Sequence, residues 1–251
     1  MRCRFERNHK VKVVVTDNYD AMSEAAAEVI ADQLKTKPDS VLGLATGTTP
    51  IGLYAELVRA CDAGEISFAN AQSFNLDEYR GLPGTHDQSY RYFMQDNLFD
   101  HVDIDVEKTH VPDGSMEDAQ AACDAYEQAI AQAGGVDLQL LGLGHNGHIG
   151  FNEPCDSFPV TTHCVKLTES TIQANSRLFD SADEVPREAY TMGIGTIMKA
   201  RKILLVVSGT GKAEIVREVL HGPVIPQVPA SILQLHPDVT VVLDKEAAAA
   251  L

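Results

Sequence analysis

Two imidazoles, two amides and a carboxylate crowd into one glycine-rich run, Gly142-Leu143-Gly144-His145-Asn146-Gly147-His148-Ile149-Gly150-Phe151-Asn152-Glu153-Pro154. Imidazoles move protons near neutral pH, and a carboxylate or amide close by can orient them. Glycines at 142, 144, 147 and 150 let the backbone turn tightly around a substrate. His145 and His148 could be metal ligands, but two histidines with no third acid or thiolate at ligand spacing are a weak zinc signal, and the reading is no metal. The G-x-G is equally weak for a dinucleotide, because no acidic residue stands in the expected setting about 20 positions on.

A second chemical run is Ser73-Phe74-Asn75-Leu76-Asp77-Glu78-Tyr79, where a strand ends in two adjacent carboxylates. Neighbouring strand residues point opposite ways, so one carboxylate should face a site while the other makes structural hydrogen bonds, unless both are merely solvated. Two further loops suit an anion. Thr46-Gly47-Thr48-Thr49-Pro50 is a small, hydroxyl-rich turn leading into a helix, which offers backbone N–H groups and the positive end of the helix dipole. The plain alternative is a strand-to-helix turn with a Thr N-cap and Pro at N1. Ser208-Gly209-Thr210-Gly211-Lys212 adds a lysine that can meet a phosphate as a point charge, or else is a glycine turn with a solvated lysine. It is not a Walker A loop: Gly209 stands too close to Lys212, and Ala213 replaces the Mg²⁺-binding hydroxyl.

These loops need strands behind them. Apolar, β-branched runs at 11–16, 41–45, 72–76, 137–143, 202–208 and 239–243 alternate with helical periods at 23–35, 51–61, 86–97, 117–133 and 211–220. That alternation predicts an α/β fold: a doubly wound, mostly parallel sheet with helices on both faces, Rossmann-like. Ser23 reads as the N-cap of the first helix, and Gly134-Gly135 as the left-handed stop of the fourth. In such sheets ligands bind beyond the carboxyl ends of the strands, so the loops should converge. Residues 1–251 read as a single domain, with 156–186 as a lid segment because Thr, Ser and charged residues there show little period.

Composition narrows the partners. With 20 basic and 36 acidic residues the formal charge is −16, which disfavours nucleic acid and anionic lipid alike. At 44% hydrophobic and 22% charged the chain is that of an ordinary folded protein. No run approaches the roughly 18 apolar residues of a membrane span, and the opening residues lack an apolar signal region. The expectation is a cytoplasmic protein with a small-molecule partner, no nucleic acid and no membrane. Five scattered cysteines, Cys3, Cys61, Cys123, Cys155 and Cys164, form no C-x-x-C pair and fit neither a disulfide framework nor structural zinc.

Taken in order, LGLATGTTPIGLY, FNLDEYRGLP, HDQSYRYFM, LLGLGHNGHIGFNEP, ANSRLFD and SILQLHPDVTVVLD resemble the glucosamine-6-phosphate deaminase family, over about residues 11–246. The wider superfamily includes 6-phosphogluconolactonases and sugar-phosphate-sensing regulator domains. Phe151-Asn152-Glu153-Pro154 and Asp77-Glu78-Tyr79 are similar to the deaminase pattern, since lactonases tend to carry Asp-Glu-Arg at the latter. The resemblance implies conversion of α-D-glucosamine 6-phosphate and water to fructose 6-phosphate and ammonia, without a cofactor. It implies Asp77 as the base that removes the C2 proton, His148 as the group that opens the ring, and Glu153 as the acid that orients His148. Asn146 falls where some members carry aspartate; an amide orients but does not accept a proton, so the dyad of His148 and Glu153 is expected to carry more of the relay. Phosphate is implied on Thr46, Gly47, Thr48 and Thr49, with Arg177 and Lys212 as cations. The chain is similar to the short form of the family, which implies reduced or absent allostery and a monomer or small homo-oligomer. A lactonase-like hydrolase and a non-catalytic sensor are the alternatives; the sensor lacks the basic DNA-binding module with which such domains travel.

Overall fold

In the computed structural model, which describes residues 11–168, 172, 179 and 184–251, ten strands alternate with helices. The strands are β1 (Lys12–Thr16), β2 (Val41–Leu44), β3 (Gln72–Asn75), β4 (Asp77–Tyr79), β5 (Thr109–His110), β6 (Leu138–Leu141), β7 (His163–Lys166), β8 (Glu188–Thr191), β9 (Lys202–Val207) and β10 (Val239–Asp244). The helices are α1 (Tyr19–Thr36), α2 (Ile51–Asp62), α3 (Tyr90–Asn97), α4 (Ala119–Gln132), α5 (Ile194–Ile197) and α6 (Ala213–His221).

Seven strands form one parallel sheet in the order β1-β10-β9-β6-β2-β3-β5. Its central members β2 and β6 are buried at every residue, as Val-Leu-Gly-Leu and Leu-Gln-Leu-Leu must be when helices cover both faces. From β2 the chain runs outward one way through β3 to β5. From β6 it runs the other way through β9 to β10. The order therefore reverses between β2 and β6, the position at which doubly wound sheets open a crevice for ligand. The fold is α/β with a mostly parallel sheet, as the alternation of periods predicts.

The second sheet has no counterpart in the sequence reading. β4, β8 and β7 pair antiparallel in that order, with Asp77 opposite Thr191 and Cys164 opposite Tyr190. Two of these strands lie in runs read otherwise: Asp77 and Glu78 are not the end of β3 but begin β4, a separate strand in the other sheet, and β7 lies inside the segment expected to be a lid. Strands of three or four residues leave too short a pattern for period 2 to show. One residue passes the chain between the sheets. Leu76 donates its N–H to Leu44 O of the large sheet (3.0 Å) and accepts from Met192 N at the end of β8 (2.7 Å).

Helix starts also differ from expectation. Asn18 caps α1, its side chain accepting from Ala21 N at 2.9 Å, and the expected cap Ser23 is a buried residue within the helix. Ser89 caps α3, so residues 86–89 of the expected helix are turn and bend, and the helix begins at Tyr90. α4 begins behind Asp118, which accepts from Gln120 N and Ala121 N, and Gly134 and Gly135 end it at φ 85° and 82°. Pro50, not a threonine, occupies the cap position of α2. Each shift follows the nearest short oxygen side chain or fixed φ ahead of the first helical turn.

Candidate functional site

The loops after β2 and β6 and the start of β4 close around one cavity of about 310 Å³. Thr46, Gly47, Thr48, Thr49 and Pro50 form one side; Asp77, Tyr90, His145, His148, Phe151 and Lys212 are among the rest. Of the residues singled out from sequence, Asp77, His148, the Thr46–Thr49 loop and Lys212 thus share a single cavity. Arg177 lies outside the described residues.

The Thr46–Pro50 loop takes its shape from Gly47, at φ 101°, a left-handed conformation that a side chain would strain. Two tyrosines brace it. Tyr54 Oη donates to Ala45 O at 2.6 Å, fixing the end of β2. Tyr19 Oη accepts from Gly52 N (2.9 Å) and faces the carbonyls of Thr49 (3.1 Å) and Thr48 (3.2 Å). Gly52 makes room for this, since a Cβ there would lie 2.5 Å from Ser23 Oγ and 2.9 Å from the Tyr19 ring. Neither tyrosine was read as part of the site; a polar aromatic in an otherwise apolar helix face was the available signal.

The second anion loop divides. Ser208 Oγ and the Gly209 N–H both bind the carboxylate of Asp244 at the end of β10, so they are committed to the frame and do not form a phosphate nest. Only Lys212 reaches the cavity, with its ammonium donating to Leu143 O at 2.7 Å. Partial burial lowers its pKa by disfavouring the charged form.

His148 is held from one side. Its Nδ1 lies 2.7 Å from Asn146 Oδ1 and 3.3 Å from Glu153 Oε1, while Asn146 Nδ2 donates to Glu153 Oε2 at 2.5 Å. The carboxylate fixes the amide with its NH₂ toward Glu153 and its oxygen toward the ring. Both neighbours of Nδ1 are then acceptors, so this geometry places a proton on Nδ1 and leaves Nε2 turned away from the Asn146–Glu153 pair. The expected dyad is in fact a chain of three in which the amide makes the shorter contact. The hydrogen bond to His148 holds the Glu153 carboxyl below its ordinary range. Gly144 lies flat under the imidazole: a Cβ there would fall 2.2–2.3 Å from the ring atoms.

Asp77 and Glu78 part company as alternation requires. Asp77, 7% exposed, lines the cavity; burial first, and the neighbouring Glu78 charge second, push its carboxyl up to about 8. Glu78 is 1% exposed and accepts the N–H groups of Tyr79 (2.8 Å), Tyr90 (2.9 Å) and Arg91 (2.9 Å). Gly150, at φ 57°, lies close by, its missing Cβ 3.4 Å from Asp77 Oδ2 and 2.8 Å from Thr191 Oγ1. Tyr90 stacks nearly parallel on Phe151, and both aromatics were missed because they sit in separate, weakly patterned segments.

An open α/β sheet with a polar cavity at its switch point, containing an anion loop, a lysine, a buried carboxyl and an oriented imidazole, defines a class of small-molecule enzymes. The chain belongs to the family of glucosamine-6-phosphate isomerases and 6-phosphogluconolactonase, whose model matches residues 16–242. It is 55% identical over 238 residues to a glucosamine-6-phosphate deaminase of Thermoanaerobacter pseudethanolicus, covering 95% of this chain and 94% of that protein. A glucosamine-6-phosphate deaminase of Halothermothrix orenii is 54% identical, over 96% of this chain and 100% of its own. Among solved structures, a monomeric glucosamine-6-phosphate deaminase superposes with a TM-score of 0.92 at 48% identity, covering 96% of this chain and 100% of that one. The 6-phosphogluconolactonase of Trypanosoma brucei shares the fold, with a TM-score of 0.75 at 21% identity.

Proposed function

We propose that the chain is a glucosamine-6-phosphate deaminase that converts α-D-glucosamine 6-phosphate and water to fructose 6-phosphate and ammonia. One observation carries this reading: a buried carboxyl and an imidazole held at Nδ1 border the same cavity as a threonine-rich anion loop and a lysine. The Thr46–Thr49 loop and Lys212 hold the phosphate, joined by Arg177. His148 moves the O1 proton toward O5 and opens the pyranose. Asp77 removes the proton from C2 and returns it to C1, which leaves a C2 imine that water hydrolyses to the ketone and ammonia. Asn146 and Glu153 keep Nδ1 protonated, so that Nε2 is the atom that exchanges protons with the sugar. Proton transfers, cleavage of the C1–O5 bond and addition of one water with loss of ammonia suffice, so the reaction calls on no cofactor.

The relatives' activity and the monomeric solved relative support a chain that works in the cytoplasm as a monomer or small homo-oligomer on a small-molecule substrate. No helix among the described residues is long and apolar enough to cross a membrane. Most of residues 169–183, in the segment expected to act as a lid, lies outside the described residues. The decisive experiment compares ammonia release from glucosamine 6-phosphate with hydrolysis of 6-phosphogluconolactone by the purified protein. Ammonia release is the expected result; lactone hydrolysis without it overturns the reading.

A further inference from the structure

Glu78 is the most deeply buried carboxylate among the described residues, and the proposed reaction leaves it without a task. It lies beside Asp77 on β4 with its side chain on the opposite face, lining a second, separate cavity of about 240 Å³ together with Arg91, Thr109, His110 and Asp113. Its two oxygens take three backbone N–H groups: Oε1 those of Tyr79 and Tyr90, and Oε2 that of Arg91. Two of those donors are the first residues of α3, whose orphan N–H groups a carboxylate satisfies together with the helix dipole. Tyr90 is at once the first residue of α3 and part of the wall facing Asp77. The loop at Gly114 is packed down on the same point: a Cβ there would fall 2.2 Å from Tyr79 O and 3.4 Å from Glu78 Cγ.

We propose that Glu78 is a positioning residue for the proposed deamination: it locks the Tyr90 wall to the strand that carries Asp77 and keeps a negative charge directly behind that base. The inference rests on the functional reading above. The two effects are separable because one is mechanical and the other electrostatic. The clamp fixes the distance between Asp77 and the aromatic wall, and misplacement of a reacting group lowers turnover at every pH. The charge opposes ionisation of Asp77, and so makes it a stronger base once ionised. The shift of the Asp77 carboxyl to about 8, with Glu78 as its charged cause, agrees in direction. Burial raises Glu78 as well, to about 7, against its three N–H bonds, so the two acids titrate as a pair. The other ionisable groups around them are Arg91, His110 and Asp113 on the Glu78 side and Lys212, His145, His148 and Tyr90 on the Asp77 side, with Tyr126 within electrostatic reach of both carboxyls.

Three variants separate the parts. Glu78→Gln keeps the shape and loses the charge: the acid limb of kcat/KM should move down by roughly one pH unit. Glu78→Asp keeps the charge and shortens the reach: the limb should stay in place while kcat falls about equally at all pH values. Glu78→Ala should lose more kcat than Glu78→Gln, so that the amide acts as a partial rescue. A limb that does not move in Glu78→Gln overturns the electrostatic half, and full activity in Glu78→Ala overturns the clamp. Titration of the Asp77 carboxyl by ¹³C NMR, with and without the Glu78→Gln change, reads the same coupling without turnover. A lower Asp77 midpoint in the variant supports the proposal, and an unmoved midpoint overturns it. A wild-type protein that releases no ammonia counts against the deaminase reading alone, because the NMR midpoint still decides the role of Glu78. If Glu78→Gln does not fold, Glu78→Asp still decides, since a shifted limb in that charge-retaining variant overturns the proposal.

Discussion

The large parallel sheet and the small antiparallel sheet meet at Leu76, and they hold their shares of the cavity in different ways. The large sheet contributes through loops beyond its strand ends: Thr46–Pro50 after β2, Gly142–Phe151 after β6, and Lys212 after β9. Left-handed glycines shape those loops, and side chains such as Tyr19 and Asn146 pin them from outside the cavity. The small sheet contributes Asp77 from within a strand, fixed on one side by the ladder to Thr191 and on the other by the turn of chain through Leu76. A phosphate tolerates small shifts among several donors, whereas a base that takes a proton from carbon must stay within hydrogen-bonding reach of one atom. The anion end is accordingly a loop, and the base is a strand residue.

If that division is correct, the largest loss comes from the strand side. Asp77→Asn should lower kcat for fructose 6-phosphate formation by about 10²- to 10⁴-fold, the range for removing a positioned general base, with sugar-phosphate binding largely retained. Undiminished turnover in steady-state assays would break the assignment of the base. Next is Gly144→Ala. The added methyl must displace the His148 ring, and a displacement of about 1 Å can cost on the order of 10²-fold in rate. Here kcat should fall far more than KM rises, and the reverse would place His148 among the binding groups. Lys212→Ala should act the other way, weakening the phosphorylated substrate by about 1.5–3 kcal/mol and raising KM about tenfold or more. An unchanged KM and kcat would remove Lys212 from the anion end.

The same division explains what could be read in the sequence. Parallel strands buried on both faces, such as Val-Leu-Gly-Leu and Leu-Gln-Leu-Leu, are continuous apolar runs, and the loops that follow them are rich in glycine and hydroxyls. Both signals are local. The small sheet has no such signature, because β4, β7 and β8 are three or four residues long and pair with partners far away in the chain. The residue types of the Asp77-Glu78 pair left open which carboxylate faces a site, or whether either does, and only the family resemblance singled out Asp77; in the structure Asp77 lines the cavity and Glu78 does not. Ser208 and Gly209 show the opposite failure. Their types suit a phosphate, but Asp244, far along the chain, takes their donors. A local pattern identifies donors without showing which of them are already engaged.

The last expected effect is on stability rather than rate, and it ties the two sheets together, because it measures what it costs to hold a base where the strand holds it. The Asp77 carboxyl has its ordinary range, 3.8, in the unfolded chain and is pushed up to about 8 by burial in the folded one. The folded state therefore binds this proton more tightly, so folding is progressively penalised as pH rises from about 4 toward 8, and the penalty is complete above that. Asparagine in its place carries no charge to desolvate. Asp77→Asn should thus be more stable than the wild type at pH 9, by about 2–4 °C in Tm for each kcal/mol recovered, with a much smaller gain at pH 4. Thermal unfolding of both proteins across that range is the measurement. A gain that is flat with pH would mean that the carboxyl is not held under strain by its surroundings, and that the strand positions Asp77 without making it a stronger base.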